Sequence, residues 1–351
     1  MSGHKGDRMT RTRSAAGALL LASTALAQPV IDADWITIGD PGNPAAVVDE
    51  GVGSVTVGSV GYEYQIMRTQ VRNADWLEFC NAYAPFMDPS RRTGTDLGGH
   101  AIKWNHAAQR FAYARTNPQD WGAQTDFVYA LRYCNWLHNG RVNEAWAFES
   151  GVYDVAAFQA WMNGVGERVS LVPAAGARYW IPTLDEWVKA AYYDPDKNGV
   201  GGWWSYPGMR DEPLRHGPPE PGYDAVGMWV IDNLGPNDPW ILPGEWDLEQ
   251  YPWAASAYGM LDVAGATREY TGTLAPEWNG SFGGIHLMGS EAHELLSDLL
   301  YERLAFPAGS SWLGQGFRLA RPVPAPGAST SLMVVFLPAL TSRRRATRST
   351  R

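Results

Sequence analysis

The chain has 351 residues, 45% of them hydrophobic, enough for one large domain or two ordinary ones with a sizeable core. Its formal net charge is −9; without residues 1–27 and 327–351, which hold nine of the 28 basic residues and one of the 37 acidic ones, it is −17. A surface of that sign repels phosphate backbones and makes nucleic acid a poor partner. Seventeen tryptophans and 38 glycines suit long loops pinned by large anchors, with little regular secondary structure.

Lys5, Arg8, Arg11 and Arg13 precede an apolar run from Ala15 to Ala27 that closes in Ala25-Leu26-Ala27 before Gln28. That order is a secretory signal with an A-x-A cleavage site at Ala25 and Ala27, so residues 1–27 are expected to be removed on export. Residues 28–54 then read as an entry segment. Asp40-Pro41-Gly42-Asn43-Pro44 is a turn cluster, and Val47, Val48, Val55, Val57 and Val60 suggest short strands. Gly51-Val52-Gly53 lacks the third glycine and the following helix of a dinucleotide loop.

Asn73 is placed to cap a helix whose buried face is Trp76, Phe79, Cys80 and Tyr83. Residues 85–123 read as loop. His100 and His106 within it are six apart, which fits neither a helical metal pair nor a Cys/His finger, so they read as solvated or hydrogen-bonded. A second helix starts near Thr125, aligns Phe127, Ala130, Leu131, Cys134 and Leu137, and stops at Asn139-Gly140. Cys80 and Cys134 thus lie on apolar faces. They form a disulfide if their Cα atoms come within about 7 Å; otherwise they are two buried free thiols.

The clearest local signal is Arg178 to Asp194, RYWIPTLDEWVKAAYYD. Tyr179, Trp180 and Ile181 suit a half-buried strand that Pro182 stops. Thr183 and Glu186 stand in the relation of a capping box, and Leu184, Trp187, Val188 and Ala191 form the apolar face of the helix that follows. The acids of its first turn sit where the helix dipole favours them, which is a structural reading. Asp194, Asp196 and Asn198 then match the first half of an EF-hand loop and are candidate calcium ligands, although Ser205 stands where the bidentate Glu belongs. Between residues 200 and 255, Trp203, Trp204, Trp229, Trp240, Trp246 and Trp253 lie among turns, either pinning loops or lining a sugar-stacking groove.

Catalytic motifs are missing: there is no H-E-x-x-H and no P-loop, and Gly309-Ser310-Ser311-Trp312-Leu313 narrowly misses the nucleophile elbow. Val323 to Ser342 carries no charge, contains the apolar run Leu332 to Leu340, and is followed by Arg343, Arg344 and Arg345. A membrane span takes about 20 mostly apolar residues, and Pro324, Pro326 and Pro338 interrupt the only window that long. With arginines after this segment and a signal before the domain, the folded part is expected outside the cytoplasm.

Four ordered segments resemble the sulfatase-modifying-factor, or formylglycine-generating-enzyme, family. They are Tyr62 to Ala84, Thr125 to Gly140, the Pro182-Thr183-Leu184-Asp185-Glu186-Trp187 stretch, and Tyr258 to Tyr270 (YGMLDVAGATREY), with Gly316-Phe317-Arg318 matching the family's closing motif. The resemblance spans residues 55–321. It implies a single α+β domain with the family's irregular, loop-rich, C-type-lectin-like fold. The family's Asn and Glu for a structural calcium fall at Ala266 and Glu269, so one ligand is lost and Glu269 is either the remaining ligand or a surface or ion-paired acid. The layout of residues 322–351, with Pro324, Pro326 and the Arg343–Arg345 cluster, resembles a PEP-CTERM sorting tail of Gram-negative bacteria. Such a tail implies transient membrane association and cleavage by an exosortase-type protease.

Family enzymes oxidise a target cysteine with oxygen at a copper ion held by two cysteines in the C-terminal third. Residues 135–351 contain none, so copper is not expected. Iron-dependent relatives use an added helical domain for which this chain has no room. The expected function is therefore a non-catalytic binding module for glycan or protein, exported to the cell surface or extracellular matrix. The alternatives are an enzyme using the same cleft, as a formylglycine-generating-type oxidoreductase or otherwise, and a purely structural matrix component.

Overall fold

The first and last strands of the fold share one sheet, in a computed structural model that describes residues 31–49, 54–226, 246–265, 267–275, 284–291, 300, 304–307 and 314–324. Strand β1 (Trp35–Ile38) pairs antiparallel with β4 (Tyr64–Met67), from Trp35 opposite Met67 to Ile38 opposite Tyr64. The closing strand β13 (Ala320–Pro322) takes the other edge of β4, with Ala320 opposite Ile66. Between β1 and β4, β2 (Ala46–Asp49) and β3 (Ser54–Val57) form a hairpin that buries Val48 and Val57. The entry segment is therefore built into the same core, and the expected boundary at residue 54 falls inside a strand pair.

The helices form where the apolar spacing places them. Helix α1 (Asn73–Tyr83) buries Trp76, Phe79, Cys80 and Tyr83. Asn73, however, is its first residue and not its cap: the Asn73 amide donates to the Pro118 carbonyl at 3.0 Å, which ties the helix to a neighbouring turn. Helix α2 (Phe127–His138) buries all five expected residues, and Gly140 leaves it at φ 74°, the left-handed conformation glycine tolerates. Phe79 of α1 meets Tyr133 and Trp136 of α2 with ring centroids 5.3 and 5.8 Å apart. Aromatic rings fill the space between these helices, and Cys80 and Cys134 remain free and fully buried, so the disulfide alternative is not the one realised.

Two stretches fold more than expected. Residues 85–123 contain a hairpin, β5 (Ile102–Asn105) and β6 (Arg110–Tyr113), framed by short 3-10 turns. Beyond α2 come α3 (Ala145–Glu149) and α4 (Val155–Met162), the latter capped by Asp154, whose carboxylate accepts the Ala157 N–H at 2.9 Å. Tyr179–Ile181, expected as a half-buried strand, is buried throughout and makes one β-bridge, Trp180 to Ala320, instead of a strand. The capping box of α5 (Leu184–Tyr192) is complete: Glu186 N–H donates to Thr183 Oγ1 at 3.2 Å and Thr183 N–H to Glu186 Oε2 at 2.7 Å. After α5 a two-residue pair, β7 (Tyr193–Asp194) and β8 (Gly202–Trp203), closes the following turn.

The second sheet runs β11-β10-β9-β12, from β9 (Arg268–Leu274), β10 (Gly284–Met288), β11 (Leu304–Pro307) and β12 (Gln315–Gly316). The result is a mixed α+β domain of small sheets around one main core. No helix among the described residues is long and apolar enough to cross a membrane.

Among the described residues one ion pair is fully buried in the core. Arg318 and Glu269 are both fully buried, and Arg318 Nε donates to Glu269 Oε2 at 2.6 Å. Its remaining N–H groups reach Glu269 Oε1 and the carbonyls of Met67, Arg68 and Leu261. Trp187 and Gln70 complete the carboxylate's shell at 3.0 and 3.2 Å. Removing either charge leaves the other buried and uncompensated. Glu269→Gln and Arg318→Met should each cost about 3–5 kcal/mol in urea unfolding, and Arg318→Met the more, because it also strands three carbonyls.

Candidate functional site

Of the expected calcium ligands in this turn, Asp194 is engaged by the protein itself, while Asp196 and Asn198 are exposed. Asp194 accepts the Asp196 N–H at 2.8 Å and the Trp204 indole at 3.1 Å. Asn198 sits at φ 57° in the turn between them. The cation of this turn is Lys197, whose ammonium donates to Asp211 and to the Trp203 carbonyl and lies 3.7 Å from the Trp204 ring centre. Glu269 is surrounded by N–H donors, so of the alternatives for it the structure has the ion-paired acid. Among the described residues no three His, Cys, Asp or Glu side chains gather in a way that could hold a metal ion. His106 is exposed on the β5–β6 turn and His100 half-buried before β5.

Cys80 and Cys134 are fully buried, and burial pushes both thiols up, away from the thiolate. Ala25, Ala27, Pro326, Arg343, Arg344 and Arg345 lie outside the described residues, as do Ala266, Trp229 and Trp240, while Pro324 is exposed at the end of the final described segment.

The loop tryptophans that are described act as pins. The Trp203 indole donates to the Pro44 carbonyl and its ring lies where a Cβ on Gly58 would be, 2.3 Å away. The Trp253 indole donates to the Tyr223 carbonyl at 2.6 Å, and Trp246 packs beside Val226 and Tyr251 in a small separate cluster.

Two cavities of about 510 Å³ are of ligand size. One lies at the start of α5, where the polar side chains already serve the helix: Asp185 accepts the Gly58 N–H at 2.7 Å, Thr273 the Leu184 N–H at 2.9 Å, and Tyr62 donates to Glu186 at 3.0 Å. The other opens between the end of α1 and the β5–β6 hairpin, lined by Asn81, Ala84, Pro85, Arg92, Trp104, Gln109 and Arg110. Asn81 is engaged in its wall, exchanging two hydrogen bonds with the Phe111 backbone and so fixing the hairpin to α1. Half-buried Trp104 stands edge-on to Phe111 at 5.2 Å, with the Arg92 guanidinium 4.7 Å from its ring centre. Arg92 donates to the Ala84 carbonyl at 2.9 Å, yet its Nε–H is buried with no acceptor. Among the described residues neither Arg92 nor Arg110 has a carboxylate at ion-pair distance. Sequence reading assigned this segment to loop and missed the site; the signal available was the apolar-polar alternation of Ile102, Lys103, Trp104 and Asn105.

No protein-family model matches the chain, and no curated protein sequence matches it. Among solved structures, Treponema denticola variable protein 1 is similar at a TM-score of 0.49 and 17% identity, over 82% of this chain and 95% of that one. CarF follows at 0.47 and 15% (84% and 100%), and PvdO from Pseudomonas aeruginosa at 0.37 and 15% (83% and 92%). All three scores lie below one half, and the α+β assignment rests on this chain's own elements.

Asp126, immediately before α2, has a carboxyl whose pKa is raised. Burial, then the nearby Asp96, push it up to about 7 against the opposing pull of Arg91. A folded pKa above the unfolded value means that the native state holds the extra proton between about pH 4 and 7, so stability falls as pH rises through that window. Asp75 and Asp262, each raised to about 6 mainly by burial, add to the same slope. Calorimetry should find Asp126→Asn melting a few degrees above the parent at pH 8, with the gap closing toward pH 4.

Proposed function

We propose that this chain is an exported, non-catalytic binding module that takes glycan in the cavity beside Trp104. The observation that carries the reading is the cavity itself: a half-buried indole and guanidinium form one wall, and Gln109 and Arg110 border it from the hairpin turn. Such a combination of a flat apolar surface and convergent polar groups suits a sugar ring and its hydroxyls.

On this reading the α+β domain is a C-type-lectin-like domain of the sulfatase-modifying-factor type, as its four ordered motifs imply, and the signal and sorting segments direct it to the envelope of a Gram-negative cell. Loss of the cysteine ligands supports binding over oxidation: residues 135–351 lack them altogether, and the two present are sealed in helix faces.

Glycan-array screening followed by titration calorimetry tests the proposal. Trp104→Ala should weaken saccharide binding about tenfold or more, and exposed Gln109→Ala should weaken it with the melting temperature unchanged. Protein purified without chelator should carry no stoichiometric copper or iron; finding either at one equivalent would sink the non-catalytic reading.

A further inference from the structure

We infer that the cavity beside Trp104 selects acidic saccharides, those bearing carboxylate or sulfate groups, over neutral ones. This rests on the glycan reading above and adds the ligand's charge. The charged side chains lining the cavity are Arg92 and Arg110, both cationic, on a chain whose net charge is −9. The acids nearest in sequence are committed elsewhere: Asp88 accepts the Ser90 N–H and hydroxyl at 2.9 and 2.8 Å, and Asp96 pairs with Arg91 at 3.0 Å.

Arg92 is held before any ligand arrives. The Ala84 carbonyl fixes one end of its guanidinium and the Trp104 ring lies against its plane, so little rotamer freedom remains to be lost on binding. No carboxylate lies within ion-pair distance of its guanidinium among the described residues, Asp88 acting on it from farther off. A neutral sugar offers hydroxyls but adds no compensating charge, whereas an anionic oxygen does. A cavity of about 510 Å³ admits a sugar unit or two and not a polymer groove, and the acidic remainder of the surface opposes nucleic-acid backbones.

The test is calorimetry of the whole protein with three short oligosaccharides of matched length: an oligogalacturonate, a heparin-derived sulfated oligosaccharide and an uncharged galactan fragment. At least one acidic probe should bind about tenfold more tightly than the uncharged one, and added salt should erode that preference. Arg92→Gln should remove most of the preference, and Arg110→Gln, at an exposed position that leaves the fold intact, the rest. Preference for the oligogalacturonate assigns the site to carboxylates, preference for the heparin fragment to sulfates, and either supports the inference. If the uncharged probe binds as tightly and Arg110→Gln changes nothing, the charge selection is wrong and glycan binding stands. If none of the three binds, and the screen finds no other saccharide, both readings fall.

Discussion

The arrangement depends on one buried charge pair. Arg318 lies between β12 and β13, Glu269 at the start of β9, and the carbonyls that Arg318 also reaches belong to the end of β4 and to the loop before β9. One guanidinium therefore joins parts of the chain separated by as many as 251 residues. Arginine can do this because its donors are arranged in a rigid planar fork, so each partner found fixes the direction of the next. Burying such a pair costs desolvation on both sides, and its net contribution to stability is small; what it supplies is a single geometry, since any other register leaves a charge unpaired in the core. Gln70 extends the same network, accepting from Thr267 at 2.6 Å while donating to Glu269.

A second buried carboxylate plays a similar part for α5. Glu186 is fully buried, and burial raises its pKa, yet it accepts from the Thr183 backbone, the Trp180 indole and the Tyr62 hydroxyl. The capping box thus becomes a junction between the β4 approach, the bridge to β13 and the helix itself. At the cavity beside it, Tyr62, Asp185 and Thr273 are occupied in holding α5. In the hairpin cavity Asn81 fixes the hairpin to α1, and among the described residues Arg92 and Arg110 have no carboxylate at ion-pair distance.

The parts of this fold legible in the sequence are those set by local rules. The α5 box, the apolar faces of α1 and α2 and the glycine after α2 follow from spacing and backbone preference, and all are present. Where a tertiary partner intervenes, local reading fails. Asn73 has a cap's chemistry but bonds a carbonyl 45 residues away, and Tyr179–Ile181 has a strand's composition but finds one bridging residue. Asn135 shows the same limit: mid-helix and fully buried, it exchanges hydrogen bonds with the Tyr153 backbone and donates to the Phe148 carbonyl, contacts no periodicity reveals. The candidate site was hidden for a related reason. Its residues come from α1, a 3-10 turn and a four-residue-strand hairpin, elements too short for pattern alone to join.

An acidic protein with a cationic cavity uses its overall charge and its local charge for opposite ends. The general negative field slows the approach of every anion, so polyanions gain nothing from non-specific contact with the surface. At contact distance the field is dominated by the nearest groups, because screening confines the rest to within about 8 Å at physiological salt. A ligand small enough to enter the cavity then meets two guanidiniums with no competing carboxylate within ion-pair distance among the described residues. Discrimination comes from that difference in range: charge of one sign spread over the surface rejects long polyanions, and charge of the other sign fixed against Trp104 retains short ones.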